Sequence, residues 1–256
     1  MALSALADLR IGSVPYLNAK PLVWGLDPSR VVFEIPAVLS GSYERGEVDI
    51  ALLPLFEVLQ LGGGAIADDI AVACRGEVLS VFVASREESF PDIAQISLDP
   101  ASRSSVALTK VLLDEFYPNG PRVISDDPGE SGARLLIGDP ALEFRQTHRE
   151  GWHYHDLGLL WQKHTGLPFV FAAWAFHKDL ANPTEVAQSL RDIKQVGLEA
   201  RAIIARNEPD PAVALAYLTE NIRYHVGPDE KKAIALFSQL AAKHGLIEKV
   251  AEIRYY

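Results

Sequence analysis

Short apolar runs alternate with helix-length segments from Leu9 to Phe176, and polar residues crowd the turns between them. No other feature of the chain constrains its fold as much. Leu9–Val14, Val31–Glu34, Val48–Leu53, Ile70–Cys74 and Val78–Ala84 read as strands. Leu17–Gly25, Ala37–Arg45 and Pro54–Leu61 read as the intervening helices. Gly46 is a suitable stop for the second helix, Pro54 a suitable first residue for the third, and Gly62-Gly63-Gly64 its end. Repeated strand–helix–strand units of this length predict a parallel α/β sheet.

The middle of the chain repeats the scheme. Ile96–Leu98 is a strand that leads through Asp99-Pro100-Ala101-Ser102-Arg103-Ser104-Ser105 into a helix, Val106–Phe116. Strands follow at Val123–Ser125 and Arg134–Ile137, the latter turning at Gly138-Asp139-Pro140-Ala141 into a helix that runs to Thr147. His153–Asp156 is extended, Leu157–His164 helical and Pro168–Phe176 a strand. From Pro183 to Lys249 the pattern changes to three long helices with no strand between them. The middle segment therefore reads as a second α/β lobe inserted into the first. Residues 1–84 and 177–256 form lobe I, 85–176 form lobe II, and two long strands serve as crossovers. Two lobes joined in this way form a hinge, with a ligand cleft between them.

Composition narrows the function. The single cysteine, Cys74, rules out an internal disulfide framework and a cysteine-rich zinc site, and its apolar neighbours mark it as a small core residue. Met1–Leu9 has neither the basic start nor the long apolar stretch of a secretory signal. Runs such as Leu167–Phe176 are about half the length that a membrane span needs. A cytoplasmic protein is expected. The formal net charge of −10 disfavours nucleic acid as a partner, and for an anionic ligand it requires local donors strong enough to overcome the global field.

Four polar groups fall at strand-to-helix turns, where ligands of open α/β sheets bind and where free backbone N–H groups favour anions. Ser13, Tyr16 and Asn18 offer two hydroxyls and an amide, or serve as helix caps. Ser102, Arg103, Ser104 and Ser105 make a carboxylate cradle or, again, a cap. At Gly138-Asp139 the glycine permits close backbone approach, and Asp139 acts either as a base or, by preference, as the cap of its own helix. Glu77 and Ser80 lie at the first crossover, facing the cleft or the surface.

Other motifs point to structure. Trp161, Phe169, Phe171, Trp174 and Phe176 suit core packing better than ligand stacking. His153 and His155 alternate on a strand and face opposite ways, which makes them a poor metal pair, and His164 and His177 stand alone. The triple glycine follows a helix and lacks the Lys-Ser/Thr of a phosphate loop, and no Gly-x-Ser-x-Gly elbow occurs. No cofactor or metal is expected. The residues by themselves thus describe a two-lobe α/β protein that clamps a small organic anion.

Several motifs carry a more specific resemblance. Arg10-Ile11-Gly12-Ser13-Val14-Pro15-Tyr16-Leu17-Asn18-Ala19-Lys20-Pro21-Leu22 resembles the opening signature of the chorismate dehydratases of the futalosine route to menaquinone. Asp49–Pro54, Ser102–Ser105, Leu157-Gly158-Leu159-Leu160-Trp161 and Thr165–Val170 resemble later blocks of that family, in the same order and spacing. The resemblance implies a fold like that of type II periplasmic binding proteins, put to use as an enzyme. It also implies the conversion of chorismate to 3-[(1-carboxyvinyl)oxy]benzoate. A related branch, the 1,4-dihydroxy-6-naphthoate synthases, opens with a Ser-Pro-Cys-Pro-Asn-Asp type motif and tends to carry a histidine base where this chain has Gly138; both differences favour the dehydratase branch.

On this resemblance, Tyr16 and Asn18 position the substrate, while Ser13, Ser80, Ser104, Ser105, Gly138 and Asp139 bind it. The partner is one dianionic small molecule, with no nucleic acid and no membrane; a homodimer is left open. The base is unassigned, the substrate's own enolpyruvyl carboxylate being the favoured choice. A non-catalytic solute-binding protein, the effector domain of a transcription regulator and the naphthoate synthase are the alternatives.

Overall fold

The computed structural model describes residues 4–98, 102–124 and 132–256. Asp99-Pro100-Ala101 and Ser125, which figured in the expected turn and strand, lie outside the described residues, as do Met1–Leu3.

β1 (Ile11–Ser13) passes through a 3-10 turn, Leu17–Ala19, into α1 (Lys20–Val23). Next come β2 (Val31–Phe33), α2 (Pro36–Glu44), β3 (Ile50–Pro54), α3 (Leu55–Gln60) and β4 (Gly63–Cys74). The chain then builds β5 (Val81–Ser85), β6 (Gln95–Ser97), α4 (Arg103–Phe116), β7 (Arg122–Ile124), β8 (Ala133–Ile137), α5 (Gly138–Thr147), β9 (His153–Asp156) and α6 (Leu157–Thr165). It returns with β10 (Phe169–Phe176), α7 (Pro183–Glu199), α8 (Arg201–Ala205) and α9 (Pro211–Ala216), which runs into a π-helical turn, Tyr217–Asn221. α10 (Pro228–Lys243) and β11 (Glu252–Tyr255) complete it.

Local chemistry sets many of these limits. Pro36 opens α2, and Gly46, with φ +70°, follows its end. Pro54 closes β3 instead of opening the next helix. Asp156 caps α6 by accepting the Leu159 N–H at 3.1 Å, and Gly166 ends that helix in the left-handed conformation. The glycines expected to stop a helix also begin a strand, because β11 adds alongside Gly63–Ile66 and extends β4 to 12 residues. The first of the three expected C-terminal helices is split into α7 and α8, and the second is the short α9 continued by the π turn.

Two sheets result, with strand orders β11-β4-β10-β3-β1-β2 and β7-β6-β8-β5-β9. They are mixed, where parallel sheets were expected. β10 runs antiparallel to both β3 and β4, and β5 antiparallel to both β8 and β9, while β1 is parallel to β2 and β3 and β6 is parallel to β7 and β8. The reason is geometric. β1, β3 and β8 point their C-terminal ends at the space between the sheets. A chain that crosses that space enters the opposite sheet at the same end, so β5 and β10, the first strands laid down after each crossing, must run the other way. The sheet changes fall between Cys74 and Val81 and between Asp156 and Phe169. The expected boundaries at 84 and 176 instead fall inside β5 and at the far end of β10.

One large apolar core serves both sheets, with Trp161, Trp174, Phe169 and Phe237 fully buried within it. Among the described residues no helix is long and apolar enough to cross a membrane.

Candidate active site

The strand ends converge on a pocket lined by residues of both sheets. Its floor is apolar: Val14 and Leu52 come from one sheet, Val81 and Ile137 from the other, and Phe171 from the start of β10. Tyr16, Asn18, Ser80, Arg103, Ser104 and Ser105 supply polar groups. Each of the four expected polar groups thus brings at least one residue to the same place, from distant parts of the chain.

Ser104 and Ser105 sit in the first turn of α4, a helix of 14 residues. The first-turn N–H groups of a helix have no acceptor within it, so this end favours an anion. Ser102, expected as a possible cap, makes no side-chain cap bond. Ser104 accepts the main-chain N–H of Phe56 at 3.0 Å and so caps α3, which belongs to the other sheet. Its neighbour Arg103 pairs at 2.7 Å with Glu57, whose side chain is 2 % exposed and whose carboxyl burial pushes up despite the cation. The cation in the cavity wall therefore already has a counter-charge.

Gly138 is required by what faces it. Its φ is +64°, and a Cβ there would come within 3.1–3.3 Å of three ring carbons of Tyr16. Its N–H donates to the Ser80 carbonyl at 2.8 Å, tying the β8 turn to the crossover.

Asp139 does not line the cavity and does not cap its own helix. Its carboxylate accepts the Leu17 N–H at 3.0 and 3.3 Å, capping the 3-10 turn that carries Asn18. Burial is the largest influence on its carboxyl and pushes it up, against the opposing pull of the Leu17 N–H. Ser13 is also outside the cavity: it is fully buried, with its hydroxyl 3.4 Å from the Val14 carbonyl. Glu77 is exposed at the surface, where its carbonyl accepts Asn221 Nδ2, whereas Ser80 is fully buried and lines the cavity. Of the expected aromatics, Phe171 reaches the cavity. Trp161, whose indole donates to the Pro168 carbonyl at 2.9 Å, is core together with Phe169, Trp174 and Phe176.

Two residues escaped the sequence analysis. Tyr217, from the π turn, is buried behind the cavity with its hydroxyl 2.7 Å from Ser80 Oγ and 3.0 Å from Asn18 Nδ2. On a helix its spacing is that of any core aromatic, so nothing in the sequence marks it. Asp156 is buried beneath the crossover and accepts the N–H groups of Val78 and Leu79 at 2.8–3.1 Å as well as that of Leu159. It holds Leu79 at φ +63°, a conformation rare for a branched residue, and thereby sets the position of Ser80. Burial pushes its carboxyl up to about 6.

Comparison with known proteins identifies the group to which this arrangement belongs. A family model described as menaquinone biosynthesis matches residues 9–243. The chain belongs to this menaquinone biosynthesis family. A relative from Thermus thermophilus, named chorismate dehydratase, is 30 % identical over 90 % of this chain and 93 % of its own. Among solved structures, protein AF1704 from Archaeoglobus fulgidus superposes with a TM-score of 0.73 at 17 % identity, covering 93 % of this chain and 98 % of its own. The aliphatic sulphonate binding protein SsuA from Escherichia coli superposes with a TM-score of 0.55 at 15 % identity, over 95 % and 94 % of the two chains. The Candida albicans CA3427 product, described as having the generic periplasmic binding protein fold, gives 0.59 at 14 % identity, over 94 % and 91 %. This member of the menaquinone biosynthesis family therefore has a periplasmic-binding-protein-like fold, as expected from its sequence.

Proposed function

We propose that the protein is a chorismate dehydratase, a carbon–oxygen lyase that works in the cytoplasm and converts chorismate to 3-[(1-carboxyvinyl)oxy]benzoate and water. The observation that carries this reading is the cavity: apolar walls fit for a carbocycle, joined by the hydroxyls of Ser104 and Ser105 at a helix N-terminus and by the polar groups of Tyr16, Asn18 and Ser80. A cyclohexadiene ring that carries a carboxylate and an enolpyruvyl arm matches that mixture of apolar walls and donors. The family and the dehydratase relative support the choice of substrate.

The chemistry follows from the substrate. The hydrogen on the ether-bearing ring carbon is acidified through the ring double bond by the ring carboxylate. Its removal and the loss of the neighbouring hydroxyl leave a benzene ring, so the overall step is strongly downhill. Charge develops on the ring carboxylate as the proton leaves. Donors already aimed at that group lower the barrier, by roughly 3 kcal/mol for each well-placed one. In this reading Ser104, Ser105 and the α4 N-terminus take the ring carboxylate, and Tyr16 and Asn18 position the hydroxyl and the enolpyruvyl arm.

The base in this reading is the enolpyruvyl carboxylate itself. The described residues that line the cavity include no carboxylate and no histidine, and a substrate carboxylate held in reach supplies a base at high effective concentration. The two sheets with their helices act as lobes that close over the ligand. The test is direct: purified protein incubated with chorismate yields a meta-substituted benzoate detected by absorbance and mass. Recovery of unchanged chorismate, with turnover of cyclic de-hypoxanthinyl futalosine instead, would move the protein to the naphthoate synthase branch.

A further inference from the structure

Tyr217 touches two cavity residues and lies outside the cavity itself. Its hydroxyl carries one proton. The amide nitrogen of Asn18 is a donor only, so at 3.0 Å the tyrosine oxygen must accept from it. The single phenolic proton is then committed to Ser80 Oγ at 2.7 Å. Ser80 Oγ, having accepted that bond, keeps its own proton for another acceptor. Asn18, having spent one N–H on the tyrosine, keeps its carbonyl oxygen and second N–H.

We propose that Tyr217 is a positioning residue that fixes the polarity of the site, making Ser80 a donor toward the substrate and turning the Asn18 carbonyl oxygen into the cavity. This rests on the dehydratase reading for its effect on turnover, though not for the network itself. Tyr217 is rigidly placed for the task. It is 1 % exposed, and the turn that carries it, Tyr217–Asn221, is π-helical, a local widening that shifts a side chain relative to a regular helix. Burial raises its phenol well above the ordinary value, so it stays a neutral hydroxyl with a proton to give at any working pH. The opposite polarity, with Tyr217 donating to an Asn18 oxygen and accepting from Ser80, would use up the serine proton and present both Asn18 N–H groups to the cavity in place of the serine hydroxyl and the amide oxygen.

Tyr217→Phe deletes the hydroxyl and keeps the packing. With chorismate as substrate, kcat is expected to fall about 10²-fold, as for a catalytic group moved slightly out of register, with KM changed less than about threefold. Ser80→Ala is expected to fall by a similar factor, and the double variant by no more than the worse single variant, because both changes break one chain of bonds. Asn18→Asp places an acceptor opposite the phenol, reverses the chain, and is expected to be slower than Tyr217→Phe. A kcat for Tyr217→Phe within twofold of wild type, or losses that multiply in the double variant, would overturn the assignment. Either result would mean that the tyrosine only fills space.

A second readout needs no substrate. The side-chain amide signals of Asn18 in a nitrogen–proton NMR spectrum are expected to move in Tyr217→Phe, while its melting temperature stays within a few degrees of wild type. Signals that do not move overturn the network even if the wild type turns chorismate over. A wild type inactive on chorismate defeats the dehydratase reading alone, and the amide signals then decide the role of Tyr217.

Discussion

The carboxylate of Asp139 holds the main-chain N–H of Leu17 at 3.0 and 3.3 Å, across 122 positions of sequence and from one sheet to the other. Ser104 does the same for Phe56, 48 positions away. In each case a helical start in the first sheet is capped by a side chain from a turn of the second. The turns that bring polar groups to the cavity are therefore also the turns that fix the two sheets against each other.

This geometry separates two roles for Asp139. Asp139→Asn keeps an oxygen that can accept from Leu17, so turnover within about fivefold of wild type is expected. Asp139→Ala strands a part-buried N–H and is expected to cost about 1–3 kcal/mol in chemical denaturation and to raise KM through the displaced Tyr16–Asn18 turn. If Asp139→Asn instead lost about 10³-fold in kcat while binding substrate normally, the carboxylate would have to be the base.

Gly138 is predicted to tolerate no side chain. Gly138→Ala adds a carbon that meets the Tyr16 ring at 3.1–3.3 Å on a backbone at φ +64°. A loss of roughly 1–2 kcal/mol from the left-handed conformation alone is expected, measured as a shift in denaturation midpoint. The ring must also swing toward the cavity, so KM rises. A variant with unchanged stability and KM would show that Tyr16 can move away freely and that the close approach has no function.

How far the sequence foretold this arrangement depends on the kind of signal. Val48–Leu53 and Pro168–Phe176 were legible as strands because apolar runs of that length have few other uses. Tyr16, Asn18, Ser80, Ser104 and Ser105 were legible as cavity residues because turns after strands gather at one edge of such sheets. Ser13 was not separable from them: it belongs to the same motif, and only the pleat decides that its hydroxyl turns inward. Asp139 read as the cap of its own helix because capping is usually local, and a cap supplied to a turn 122 positions away leaves no local pattern. The antiparallel entry of β5 and β10 was hidden for the same reason. Strand direction follows from where the chain crosses between sheets, and single-strand hydrophobicity carries no sign of it.

Ser104→Ala removes the acceptor of the Phe56 N–H. A buried donor left without a partner costs about 1–3 kcal/mol, and the α3 start loosens from α4. If Ser104 also binds the ring carboxylate, affinity for the benzoate product falls by more than stability does, and calorimetric titration of the product separates the two. Equal affinity in wild type and variant would leave Ser104 as a cap and nothing more.

Asp156 gives the sharpest pH prediction. Its carboxyl is raised from 3.8 to about 6, chiefly by burial, which outweighs the N–H groups of Leu159, Val78 and Leu79 that favour the anion. A raised folded value means that the folded protein holds the proton more tightly than the unfolded chain. The stabilisation it provides is complete below about pH 4, declines as pH rises through about 6, and is absent above that. A displacement of this size corresponds to roughly 3 kcal/mol over the window. Asp139 and Glu57 are raised too, while Asp49 and Asp69 are lowered and act in the opposite sense, so the total profile does not isolate this group. The difference between wild type and Asp156→Asn does. In denaturant melts, the wild type should lose stability relative to Asp156→Asn between pH 4 and 6.5, and the difference should then level off. A difference that stays flat, or runs the other way, would mean that the three N–H groups outweigh burial and that the carboxylate stays charged beneath the crossover throughout.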